Sequence, residues 1–96
     1  MSKFHKELAR LHSILRSKGW QIRYSRHALD EMQIDHIYHA DVMEVLTKGH
    51  VTWFEVKKDD IIHVEGRDLD GRNIRLIVGL RDAVITLKIV TAFELK

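Results

Sequence analysis

Apolar residues recur every three or four positions through the first half of this chain, and about every second position after it. Phe4, Leu8, Leu11 and Leu15 form one stripe, which predicts an amphipathic helix over residues 3–18 stopped by Gly19. The stretch "YSRHALDEM" gives a second: Ser25 is a good N-cap and Ala28, Leu29 and Met32 line one side, so a helix is expected over 25–33. "HADVMEVLTKG" places Val42, Val45 and Leu46 together and ends on Gly49, predicting a third helix over 40–48.

Beyond Gly49 the segments "HVTWFEV", "DIIHVEGR", "NIRLIVGL" and "AVITLKIVTAF" are rich in Val, Ile, Thr and aromatics, and they read as four strands covering 50–93. "RDLDGR" has the composition of a short hairpin loop with Gly71 at the left-handed position. Short loops between successive strands imply an antiparallel meander. The expected fold is therefore α+β: two to three N-terminal helices packed on one face of a four-stranded, mainly antiparallel sheet. Alternation then sorts the side chains. Ile62 and Val64 alternate with His63, Glu65 and Arg67; Ile74, Leu76 and Val78 with Arg75 and Ile77; Ile85, Leu87 and Ile89 with Thr86 and Lys88. The uncovered face gathers the polar set, as a solvated antiparallel face normally does. Trp53 and Phe54 point to opposite faces, so one belongs to the core and the other is partly exposed, where it either packs at the sheet edge against the first helix or offers a ring on which a base can stack.

Composition narrows the picture further. Ninety-six residues make a single domain over 1–96, with a basic amphipathic helix over 1–20 and the core over 23–93. There is no cysteine, which excludes a disulfide framework and a thiolate zinc site. His36 and His39 have chelating spacing but no third ligand beside them, so no metal or cofactor is expected. Charges throughout the first twenty residues rule out a signal peptide or membrane span there, and a soluble cytoplasmic protein is expected. Residues 1–26 carry seven Lys/Arg against Glu7 alone, a net +6, whereas 27–96 carry nine against thirteen, a net −4. A basic segment on a slightly acidic body suggests an anionic partner, RNA or an acidic protein. Arg26 and His27 also fall in the first turn of a predicted helix, where the macrodipole disfavours a cation.

The run "YSRHALDEM…I…ADVMEVLTKGHV", then "HVEGRDLDGRNIRLIV" and "LKIVTAF", resembles a family of small prokaryotic domains of unknown function. That family is placed in the barnase–EndoU–colicin–RelE-like superfamily, whose best-known members are ribonuclease toxins of toxin–antitoxin systems. Where the family usually has Arg-Gly-Ile between its two helices, this chain has "DHI". The resemblance implies a metal-independent endoribonuclease working by 2′-hydroxyl attack, with RNA, ribosome-associated mRNA included, as substrate and an antitoxin protein as partner. It implies site roles for His27, Arg72, Arg75 and Thr91. His27, biased toward neutral imidazole by the helix N-terminus, would be the general base. Arg72 and Arg75 would clamp the phosphate, and Thr91 would donate a hydrogen bond. Simple alternation puts Thr91 on the face of Ile89 and Phe93, away from Arg75, so either a bulge re-aims it or Thr86 is the relevant hydroxyl. A non-catalytic RNA- or protein-binding module of the same fold is the alternative. Convergence of His27, Arg72 and Arg75 on one cleft separates the two, because a binding module does not need it.

Overall fold

Three helices, α1 (His5–Arg16), α2 (Arg26–Asp35) and α3 (His39–Lys48), pack with five strands, β1 (Gln21–Tyr24), β2 (His50–Val56), β3 (Asp60–Arg67), β4 (Asn73–Arg81) and β5 (Thr86–Glu94). The structure is a computed structural model that describes residues 3–81 and 86–96. The α+β class and the three helices match the sequence expectation, with every helix boundary within two residues of its predicted place. The strand count needs correcting. The sheet has five strands in the order β1-β5-β4-β3-β2, and β1 pairs with β5 in parallel while the other pairings are antiparallel. β1 has only Ile22 and Tyr24 as apolar residues, too few to display a period, and its partner strand lies more than sixty residues away in sequence. Ile85, expected inside the last strand, lies outside the described residues.

One buried cluster joins Leu11 of α1, Ala28 and Met32 of α2, and Val42, Val45 and Leu46 of α3 to the inward residues of the sheet, including Ile62, Val64, Leu76, Val78, Leu87 and Ile89. Phe4, Leu8 and Leu15 complete the docked stripe of α1. Lys3, Lys6 and Lys18 stay exposed as their positions predict, but Arg10 does not, because its guanidinium reaches Asp60 at 2.7 Å. Among the described residues no helix is long and apolar enough to cross a membrane.

Helix α2 is held along β5. The Ser25 hydroxyl accepts from Ala28 N–H at 3.0 Å as an N-cap and donates to the Val90 carbonyl at 2.8 Å. Past the end of β1, the carboxylates of Glu31 and Asp35 accept from the N–H groups of Ala92 and Glu94, which supply the partners that a neighbouring strand would otherwise give.

Two bulges set which side chains reach the uncovered face. In β5, Val78 pairs with Ile89 and Ile77 with Thr91, so Val90 is passed over and the alternation changes phase. Ile89 and Ala92 are both buried, and Thr91 and Phe93 turn outward. In β2 the register shifts between Val51 and Trp53. Thr52 and Trp53 therefore both face outward, while Phe54 packs against the core.

Candidate functional site on the open sheet face

Two side-chain rows cross the uncovered face from β2 to β5. The first runs His50, Glu65, Arg75, Phe93; the second runs Trp53, His63, Ile77, Thr91. Cross-strand neighbours of this kind stand about 5 Å apart and diagonal ones about 7–8 Å apart, so His63 lies within reach of both Glu65 and Arg75. Trp53 is 48% exposed. Its ring stands 6.4 Å from the His63 imidazole, and Arg75 lies 5.8 Å from the centre of the Phe93 ring. The bulges explain this crowding, since without them both aromatic rings and Thr91 would point into the core.

Arg75 and Glu65 form the charged centre, with Nη2 3.2 Å from Oε2. The same Glu65 oxygen accepts the Thr52 hydroxyl at 2.6 Å. Burial by itself would raise the Glu65 carboxyl, but the Thr52 hydrogen bond, the Arg75 guanidinium and His50 together hold it below the ordinary carboxylate range. His63 is displaced downward, first by burial and then by Arg75, with Glu55 and Glu65 opposing. At neutral pH the site thus offers an ionised carboxylate, a guanidinium and a neutral imidazole.

The residues implied by the resemblance do not all converge here. Arg75 and Thr91 belong to the two rows, and the β5 bulge is what places Thr91 there. Thr86 is buried at the other end of β5, level with Arg81. His27 sits on the outer side of β5. It is 68% exposed and lies 3.3 Å from Glu31 Oε1, the oxygen that accepts from Ala92 N–H, so it stands at the rim of the face. Arg72 is elsewhere. Its Nε is 2.7 Å from Asp68, and its terminal nitrogens donate to the carbonyls of Asp35 and His36 at the C-terminal end of α2. A cation there complements the helix dipole, so Arg72 clips the β3–β4 hairpin to α2. Burial would raise Asp68, but hydrogen bonds from the Arg72 side chain and backbone N–H and from Asp70 N–H outweigh it and keep the carboxyl low. The remaining open-face candidates are peripheral: Arg67 turns back to the Gly71 carbonyl, and Lys88 lies opposite Gly79.

Sequence reasoning missed His50 and Phe93. His50 follows Gly49 directly and is placed opposite Glu65 by strand pairing alone, which local sequence does not reveal. Phe93 is assigned to the wrong face by unbroken alternation. Among the described residues no group of three His, Asp or Glu side chains is arranged to hold a metal ion.

With its helices on one side and a polar, aromatic-lined sheet face on the other, the protein is an α+β domain with three helices and an open five-stranded mixed sheet. Residues 24–94 match the model of the family described as Domain of unknown function (DUF4258), and the chain belongs to that family. No curated protein and no solved structure matches it.

Proposed function

We propose that the protein binds single-stranded RNA on its open sheet face and cleaves it without a metal ion. The observation that carries this reading is the Glu65–Arg75 pair with His63 beside it, between the Trp53 and Phe93 rings. Aromatic rings on a sheet stack unpaired bases, which leaves the phosphodiester over the charged centre. His63, held neutral, accepts the 2′-hydroxyl proton as that oxygen attacks phosphorus. Arg75 stabilises the added charge on the phosphorane, and Glu65 holds its planar guanidinium in place. His50, diagonal to His63, is the proton donor for the leaving 5′-oxygen, and Thr91 donates a hydrogen bond to the phosphate or ribose. The products are a 2′,3′-cyclic phosphate and a free 5′-hydroxyl. The site thus shifts from the one the resemblance implies: His27 becomes a rim contact and Arg72 a fold element.

The test is cleavage of a labelled single-stranded RNA in EDTA by the wild type and by His63→Ala. Cleavage that survives EDTA, leaves cyclic phosphate ends and falls about 10²–10⁴-fold in the variant supports the reading. Full activity of His63→Ala or loss of activity in EDTA overturns it. A non-catalytic RNA-binding module is the second reading. The commitment of Arg72 to Asp68 and of Arg75 to Glu65 favours it, since neither guanidinium stands without a carboxylate. Tight RNA binding with the RNA left intact selects that module.

A further inference from the structure

A second basic feature lies on the same face, beyond the two rows and toward the β1 edge. Arg23 and Lys88 are register neighbours across β1 and β5, Arg81 stands one row further out, and Arg26 opens α2. With Ile22, Tyr24, Ser25 and Leu29 they enclose an open hollow of about 690 Å³, and among the described residues of its lining none is acidic. Arg81 is paired with Asp59 at 3.1 Å. Among the described residues Arg23, Arg26 and Lys88 have no carboxylate partner. Arg23 and Arg26 are exposed and Lys88 is half-buried, and cations gathered without counter-charges repel one another, a cost that an anionic ligand would relieve.

The hollow is continuous with the proposed RNA surface. Lys88 is opposite Gly79, which is four residues along β4 from Arg75, a separation of about 13 Å. An occupant of both places is an oligonucleotide and not a mononucleotide. A groove of cations beside stacking aromatics is also how sequence-tolerant single-strand binding is generally achieved. We propose that Arg23, Arg26 and Lys88 hold the phosphodiesters that flank the nucleotides at His63 and Arg75, so that the ligand is a single-stranded oligoribonucleotide anchored well away from the reacting bond. This rests on the RNA reading above and deepens it by fixing where the strand runs.

The experiment measures fluorescence anisotropy with a 2′-O-methyl oligouridine dodecamer, which lacks the attacking hydroxyl and cannot be cut, and with the corresponding dinucleotide. The variant combines Arg23→Gln, Arg26→Gln and Lys88→Gln. Its affinity for the dodecamer should fall at least about tenfold, and the slope of log affinity against log salt should shrink by about 2, the counterion release for three single-strand phosphate contacts. Dinucleotide binding should not change. Unchanged dodecamer affinity, or equal losses for both ligands, overturns the proposal. Intact dodecamer binding with loss of binding to poly-glutamate overturns it in favour of an acidic protein partner. Should the combined variant not fold, Arg23→Gln and Arg26→Gln, both at exposed positions, carry the same test singly, each losing about threefold. Because the probe cannot be cleaved, failure of cleavage in the previous experiment leaves this result interpretable, and the reverse holds as well.

Discussion

His63 lies on a strand where period-two alternation alone puts it beside Glu65, yet its chemistry depends on a residue from the next strand. Burial and Arg75 hold it below its ordinary 6.5. The folded protein therefore binds fewer protons at this site than the unfolded chain does between the two pKa values. Its contribution to stability is complete above about 6.5 and is lost as pH falls through that window. An NMR titration should find the His63 midpoint below 6.5 in the wild type and higher in Arg75→Ala, where a neighbouring positive charge is gone. A wild-type midpoint at or above 6.5, or a downward move in the variant, refutes the electrostatic account. The face of His63, Glu65 and Arg75 was legible in sequence because strands alternate. That of Thr91 was not, because one extra residue at Val90 reverses the alternation without leaving a compositional mark. Arg72 was legible as a cation beside a turn, but its partners in α2 lie some 36 residues away, and only the fold brings them together.

Helices and hairpin announced themselves through period, caps and Gly71, whose φ of 87° suits the left-handed position in the β3–β4 turn. Strand β1 did not, since a short parallel edge strand is defined by what it pairs with. The junction of α3, β2 and β3 was equally hidden. A Cβ on Gly66 would lie 2.9 Å from the Gly49 Cα, and one on Gly49 would lie 2.6 Å from the Glu65 carbonyl oxygen. Two glycines thus let the end of α3 sit directly on β3, and His50 follows at once. Gly66→Ala should reduce stability by about 1–3 kcal/mol, the usual cost of overpacking, as measured by urea unfolding. It should also perturb the His50 resonances more than those of His27, which lies across the sheet on α2. Wild-type stability in this variant would show that the close approach is relaxed in solution.

At the scale of the molecule, the sheet order places β5 between β1 and β4, although it is the last strand in sequence. Both side-chain rows of the open face end on it, at Phe93 and Thr91, and α2 is tied to it through Ser25, Glu31 and Asp35. A chain ending at Arg81 should therefore show no cooperative thermal transition and a collapsed range of amide chemical shifts, and a well-dispersed spectrum would contradict this. The same arrangement governs biogenesis. As the polypeptide emerges from a ribosome, β1 and α2 appear early but have no seat until the final strand follows. The β2–β4 meander meanwhile exposes one edge of its ladder. Closure is thus a late, long-range event of the kind that slows folding and leaves the nascent chain open to chaperones. The face proposed to bind RNA is assembled only once β5 has joined the sheet, so a nascent chain that still lacks β5 carries no finished site.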